Sequence, residues 1–108
     1  MKREIRLYQT KGGTVPFSEW FDSLDDTKTQ QRIDARLARL RVGNLGDAKT
    51  VGDGVFELRL DFGPGYRIYF GQEGRTIVIL LCGGDKSSQK RDIKKAKEFW
   101  LKYQERSA

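Results

Sequence analysis

The chain has 108 residues, of which 37% are hydrophobic and 33% are charged, and its formal net charge is +6. This length predicts a single domain, residues 1–108, with one core. The absence of histidine and the presence of one cysteine exclude a histidine general base, an intramolecular disulfide and a cysteine-based zinc site. The basic charge balance favours an anionic partner such as nucleic acid, although a generic basic protein kept in solution by its charge has the same composition.

The N-terminal part predicts one strand followed by a helical hairpin. Residues 3–8 alternate between polar and apolar side chains, as a strand does. After Pro16, which suits the first turn of a helix, apolar residues recur at helical spacing up to Leu24. Asp25 or Asp26 can cap a second helix, which ends before the glycines at 43 and 46.

The C-terminal part predicts three strands and a last helix. Residues 55–62 and 66–71 alternate, whereas 76–82 are apolar on both faces and predict a central strand with Cys82 in the core. Ser87 or Ser88 can cap the helix that follows. The order β-α-α-β-β-β-α predicts an α+β fold in which a small curled antiparallel sheet packs on the helical hairpin and the C-terminal helix.

The strands at 55–62 and 66–71 predict a hairpin that turns at 63–65. This pairing sets Arg59 opposite Tyr69 and Asp61 opposite Arg67, and it gathers a polar side of the sheet that we expect to be uncovered. Asp61 with Arg67 is most simply a cross-strand ion pair. Arg59 beside Tyr69 fits equally a structural pair or a surface that binds phosphate and base.

The residues that are missing narrow the chemistry. The chain has no phosphate-binding glycine loop, no nucleophile elbow and no ligand cluster for a metal, so we expect neither metal nor cofactor. Cleavage of RNA is compatible with arginine, lysine, tyrosine and glutamate alone, because the substrate supplies its own nucleophile in the 2′-OH.

Two runs of the sequence are specific, GPGYRIYF at 63–70 and GGDKSSQ at 83–89, and they are accompanied by FSEWF at 17–21, GVFELR at 54–59 and DIKKA at 92–96. Together these segments resemble the phage-derived addiction-module killer proteins, a HigB-like branch of the RelE/ParE toxin superfamily. The resemblance implies a microbial-RNase-like fold, a toxin of a type II toxin–antitoxin system and metal-independent cleavage of messenger RNA in the ribosomal A site. It also implies an antitoxin partner, often of the helix-turn-helix type.

The same resemblance implies the site residues. The family's basic residues would map to Arg59, Arg67 and Lys86, while Glu57 and Tyr69 would be the candidates for proton transfer. Some relatives use a C-terminal histidine or tyrosine in catalysis; this chain has no histidine, and Tyr103 fits the apolar stripe of the last helix. The general acid therefore stays open.

The excess positive charge lies in two segments. Residues 27–50 hold six basic and two acidic side chains, and residues 86–108 hold eight and three. We expect the cations of these two helices to contact ribosomal RNA; the alternative is that they form solvated helix faces. The residues concerned are Arg32, Arg36, Arg39, Lys90, Arg91, Lys94 and Lys95. The N-terminal residues lack the long apolar stretch of a signal peptide, and the chain has a single cysteine. We therefore expect a cytoplasmic protein without a membrane segment.

Two other functions stay open at this point. One is a ParE-like toxin that binds DNA gyrase and has no nuclease activity, and the other is a non-catalytic basic RNA-binding module.

Overall fold

Residues 2–107, which the computed structural model describes, form one five-stranded sheet with helices on both of its faces. The strands are β1 (Glu4–Leu7), β2 (Ala48–Gly52), β3 (Val55–Arg59), β4 (Arg67–Glu73) and β5 (Ile77–Gly84). The helices are α1 (Pro16–Ser23), α2 (Thr27–Arg41) and α3 (Gln89–Ser107), and a 3₁₀ turn (Lys86–Ser88) precedes α3. The predicted α+β class is confirmed. None of the helices within this range is both long and apolar enough to cross a membrane.

The sheet is mixed, and the prediction of a wholly antiparallel sheet is wrong. Its strand order is β1-β5-β4-β3-β2, and β1 runs parallel to β5 with Glu4 beside Ile77. The other neighbours are antiparallel. Alternating hydrophobicity identifies a strand but carries no information about its direction, and β1 is far from its partner in sequence.

The edge strand β2 is absent from the predicted order. It is short and mostly exposed, so it lacks the apolar alternation that marks a half-buried strand. The turn that joins it to β3 is formed by Asp53 and Gly54, both with positive φ (56° and 83°). Asp-Gly is the preferred pair for such a two-residue hairpin, and this is the sequence signal for β2.

The hairpin of β3 and β4 is shifted by two residues from the predicted pairing. Glu57 lies opposite Tyr69, and Arg59 lies opposite Arg67. The pairing of Arg59 with Tyr69 is therefore wrong. A shift by an even number leaves every side chain on its predicted face of the sheet, so the four residues still share one side.

The cause of the shift is a longer loop than the predicted turn at 63–65. The strand β3 ends at Arg59, and residues 60–66 form a loop closed by a hydrogen bond from the Leu60 N–H to the Tyr66 carbonyl (2.9 Å). Asp61 lies exposed in this loop and not on a strand, so its predicted cross-strand pair with Arg67 is also wrong.

The core has two layers, one on each side of the sheet. On one side α1 and α2 pack on the sheet through residues that include Phe17, Ile33, Leu37, Leu40, Leu58, Ile68, Phe70 and Leu80. On the other side α3 packs on it through a second set that includes Val55, Tyr69, Ile79, Leu81, Cys82, Ala96 and Trp100. The expectation that this second side is uncovered is wrong, because the apolar stripe of α3 lies on it.

The close approach of α3 depends on a glycine in β4. A Cβ atom built on Gly71 would lie 2.4 Å from ring carbons of Trp100. Only a residue without a side chain leaves space for this indole on the sheet.

The two predicted helix caps differ in outcome. Asp26 caps α2 and accepts a hydrogen bond from the Lys28 N–H at 3.2 Å, as expected. The last helix is not capped by Ser87 or Ser88. Asp85 caps the 3₁₀ turn that leads into α3, accepting from the Ser87 N–H at 2.8 Å. Asp85 precedes the predicted caps by two and three residues, and by capping the 3₁₀ turn it fixes the backbone at Lys86, the first residue of that turn.

Candidate functional site

The structure brings together the three cations that the sequence singles out. Arg59 at the end of β3, Arg67 at the start of β4 and Lys86 after β5 line one surface pocket of about 360 Å³. We call it the basic pocket. Its remaining wall is the 60–66 loop together with Asp47. The adjoining ends of the three inner strands thus place these cations together at one end of the sheet.

A buried carboxylate holds the two arginines from beneath. The side chain of Glu57 is 0% exposed, and its Oε1 accepts a hydrogen bond from Arg59 Nε at 3.0 Å and lies 3.9 Å from Arg67 Nε. Its Oε2 accepts from Tyr69 Oη at 3.0 Å and from Gln89 Nε2 at 2.7 Å. Four side chains therefore converge on one carboxylate, which matches the rule that buried charges are paired and hydrogen-bonded.

The protonation of this group follows from the same contacts. Burial by itself would raise the pKa of Glu57, but the hydrogen bonds from Gln89, Arg59 and Tyr69 outweigh it and lower the pKa. Burial and the negative charge of Glu57 raise the pKa of Tyr69 far above its usual range. Glu57 is thus a fixed carboxylate and Tyr69 a fixed neutral phenol near neutral pH.

This geometry corrects the expected accessibility of Glu57 and Tyr69. Both side chains are completely buried beneath α3, so a substrate in the basic pocket reaches neither. We therefore assign both to positioning of the arginines and not to proton transfer. The strand sequences give no sign of this burial, because it depends on α3, which begins 32 positions after Glu57 and 20 positions after Tyr69.

The two arginines differ in how firmly they are held. The side chain of Arg67 is 11% exposed, and its Nη1 donates to the carbonyls of Gly65 (3.0 Å) and Tyr66 (3.3 Å). Its Nε is buried without a hydrogen-bond partner among the described residues. Arg59 is 35% exposed. Arg67 is therefore a fixed wall of the pocket, whereas Arg59 reaches its mouth.

Lys86 is exposed and stands beside the loop. Its Cβ lies against Gly65, since a Cβ built on that glycine would be 3.4 Å away. The hydrogen bonds of Asp85 to the backbone and hydroxyl of Ser87 fix the turn that carries Lys86. The predicted convergence of Lys86 with the two arginines is thus a feature of the structure.

A second pocket of about 500 Å³ continues from the basic pocket. The two share Asp47, Arg59, Leu60, Asp61 and Phe62, and the second pocket extends along α2. We call the continuous surface the basic groove. Its lining holds six basic side chains and two carboxylates, namely Arg32, Arg36, Arg39, Arg59, Arg67 and Lys86 against Asp47 and Asp61. The buried Glu57 contacts Arg59 but lines neither pocket.

The predicted contact residues of α2 divide into two kinds. Arg32 and Arg39 are exposed and line the second pocket. Arg36 is only 6% exposed and donates from Nη1 to the Asn44 carbonyl (3.3 Å) and from Nη2 to the Leu45 carbonyl. Its predicted role as an RNA contact is corrected: its guanidinium fixes the loop after α2, and burial lowers its pKa.

The predicted contact residues of α3 lie apart from the basic groove. Lys90, Arg91, Lys94 and Lys95 are exposed, and none of them lines either pocket of the groove. Arg91 Nε lies 3.9 Å from Asp92 Oδ1. Lys95 lines a different depression that also involves Glu19 and Cys82. The exposed cations at positions 90–95 of α3 therefore form a surface separate from the basic groove, whereas Lys86, from the same segment of the sequence, lies in the groove.

Gln89 is a site residue that the sequence reasoning missed. It is the first residue of α3, and its amide is the closest donor to Glu57. The two residues are 32 positions apart, and no local pattern links them.

Comparison with known proteins agrees with the phage-derived part of the resemblance. Residues 19–100, about three quarters of the chain, match the family model described as "Phage derived protein Gp49-like (DUF891)", and this span includes every residue of the basic groove. A protein of Haemophilus influenzae, named "Uncharacterized protein", is 51% identical over 84 residues, which cover 78% of this chain and 85% of that protein. The narrower HigB-like assignment stays a prediction. The chain belongs to the phage-derived Gp49-like family.

Proposed function

We propose that this protein is the toxin of a toxin–antitoxin pair and that it cleaves ribosome-bound messenger RNA without a metal. The observation that carries the proposal is the convergence of Arg59, Arg67 and Lys86 on one pocket above a buried carboxylate. Arginines fixed in this way are preorganised donors for a phosphate that gains negative charge during cleavage. The proposed partners are the ribosome, its message and a cognate antitoxin.

The chemistry follows from the side chains that line the pocket. The substrate's 2′-oxygen attacks the phosphorus, the bond to the 5′-oxygen breaks, and the products are a 2′,3′-cyclic phosphate and a 5′-hydroxyl. Asp47 and Asp61 are the carboxylates that can take the 2′-OH proton, since Glu57 is buried. The Lys86 ammonium group can give a proton to the leaving oxygen.

Mapping of transcript ends after brief induction of the protein tests this proposal. We expect new 5′ ends inside coding regions with the unaltered protein and a loss of about 10²-fold or more in cleavage with Lys86→Ala, which removes a positioned cation. Lys86 is exposed, so its removal leaves the core intact. Arg75→Ala is the matched control, because Arg75 is an exposed cation outside the groove.

Growth arrest with intact transcripts would refute the nuclease proposal. One observation favours the alternatives without chemistry: the burial of Glu57 and Tyr69 leaves the pocket built mainly for anion binding. DNA damage after induction would then indicate a gyrase-binding toxin. Intact transcripts and intact DNA would indicate a basic RNA-binding module.

A further inference from the structure

We infer that Arg32 and Phe62 form a stacking site for a nucleobase beside the basic pocket, so that the ligand of the groove is single-stranded RNA. The inference rests on the proposed function and specifies its substrate. The Cζ atom of Arg32 lies 3.9 Å from the centre of the Phe62 ring, which is a stacking distance. The arginine–aromatic combination expected of Arg59 and Tyr69 is thus found between α2 and the 60–66 loop.

The aromatic ring under Arg32 is held in place by its neighbours. Phe62 packs edge-on against Tyr66 with ring centres 5.6 Å apart, and Tyr66 packs edge-on against Trp20 at 6.0 Å. A guanidinium group that rests on a fixed ring is itself restricted. Its outer face is a flat surface on which a base can stack, because Arg32 is exposed.

The two pockets differ in the cations that line only one of them. Arg67 and Lys86 line only the basic pocket, whereas Arg32 lines only the second pocket. Of the cations of the groove, Arg32 is the one whose guanidinium lies over an aromatic ring among the described residues. Asp47 and Asp61 line both pockets and can accept hydrogen bonds from the exocyclic amino groups of bases. We therefore place the phosphate at Arg67 and Lys86 and an adjoining base at Arg32.

The form of the ligand follows from the continuity of the groove. Arg59, Leu60 and Phe62 line both pockets, so the two pockets are continuous. A phosphate in the basic pocket and a base on Arg32 therefore belong to the same short stretch of the nucleic acid. A base can lie on the guanidinium only if it is unstacked from its neighbours. Bases of a duplex are not available in this way, whereas those of a single strand are.

Binding of 2′-O-methylated RNA hexamers tests the site without any cleavage, because the methyl group blocks the nucleophile. We expect a labelled oligoadenosine hexamer to bind about tenfold more tightly than a hexamer of equal charge with abasic sugars, the scale of one base–side-chain stack. Arg32→Lys keeps the charge and removes the plane, so it should abolish this preference and leave abasic binding unchanged. Arg41→Lys is the matched control, since Arg41 is an exposed arginine on the same helix that lines neither pocket of the groove.

Equal binding of the two hexamers, no measurable binding of either, or full preference in Arg32→Lys would each overturn the inference. A second variant, Phe62→Leu, keeps an apolar side chain in the loop but removes the ring under Arg32. Like Arg32→Lys, it should reduce the preference for the oligoadenosine hexamer over the abasic one. The outcomes separate this inference from the nuclease proposal. Cleaved transcripts without base preference refute the stacking site alone, and base preference with intact transcripts refutes the nuclease alone.

Discussion

Glu57 is the residue on which the geometry of the basic pocket depends. It is an acceptor for Arg59, Tyr69 and Gln89, and it faces Arg67 from within the sheet. Removing one member of a buried ionic network leaves the other charges unpaired, which is more harmful than losing an exposed pair. The carboxylate therefore contributes both to the stability of the protein and to the position of its arginines.

We expect Glu57→Gln to lower the free energy of unfolding by about 2 kcal/mol at pH 7, less than for a wholly buried pair because Arg59 is partly exposed. The pKa of Glu57 is lowered in the fold, so its stabilising effect is present above its ordinary value of 4.5 and is lost as the pH falls through the folded value. The difference between the two proteins should shrink below pH 4.5. Urea unfolding at a series of pH values measures it.

Asp61→Asn is the control for this prediction. Asp61 is a carboxylate of the same groove, but it is exposed, and its replacement should change the unfolding free energy by about 0.5 kcal/mol at most. A Glu57→Gln protein as stable as Asp61→Asn at neutral pH would contradict the anchoring role.

At the level of helices and strands, the sequence predicted most elements but not how they pair. Periodicity located β1, β3, β4, β5 and all three helices of the described range, because each of these elements buries one face or stripe. It missed β2, whose exposed edge has no such pattern, although the Asp53-Gly54 turn indicated it. Strand direction and the cover of α3 depend on contacts between distant segments, which local patterns do not contain.

The candidate site was predictable to the same degree. The composition of one strand face correctly grouped Glu57, Arg59, Arg67 and Tyr69, because a two-residue shift preserves the face. The depth of each residue was not predictable, since Tyr69 and Glu57 are buried by a helix that follows much later in the chain. Arg36 was misjudged for a different reason, because the loop that follows its own helix folds back over its guanidinium, and helical periodicity does not describe loops.

The fit of α3 on the sheet leads to a prediction at this scale. Gly71→Ala would place a methyl group where the Trp100 ring lies, and we expect overpacking to lower stability by about 1–3 kcal/mol. The thermal or urea midpoint measures this loss. Gln89 of α3 donates a hydrogen bond to Glu57, which positions the arginines of the basic pocket. We therefore also expect a displaced α3 to weaken RNA binding.

Gly12→Ala provides the comparison. Gly12 also has no positive φ, and a Cβ built there would meet only the Thr10 hydroxyl at 3.9 Å. This substitution should leave the unfolding midpoint nearly unchanged. If Gly71→Ala also left the unfolding midpoint unchanged, α3 would be packed more loosely on the sheet than the structure indicates.

Across the whole molecule, the cations predicted to bind RNA lie on two surfaces with different proposed tasks. The basic groove lies along α2 and the strand ends, whereas the exposed cations of α3 are outside it. We expect a short RNA to bind in the groove, whereas a ribosome is large enough to contact both surfaces. The two surfaces can therefore be tested separately.

We expect the double variant Lys94→Ala/Lys95→Ala to bind a hexamer as the unaltered protein does and to co-sediment with ribosomes less well. Each lost phosphate contact should reduce the slope of log affinity against log salt by about 0.7–0.9. Sedimentation at several salt concentrations measures this slope. Lys28→Ala/Lys49→Ala, which also removes two exposed cations outside the groove, controls for net charge, and an equal effect of both pairs would contradict a specific α3 surface.

The parallel pairing of β1 with β5 has a consequence for how the chain is made. A nascent protein emerges from its N-terminus, so β1 must wait without a partner until Ile77 and its neighbours have been synthesised. The contacts of the β3 carboxylate are completed later still, because Gln89 is synthesised after β5. An unfinished polypeptide therefore has no assembled pocket, and under the proposed function the protein would become active only when its synthesis is nearly complete.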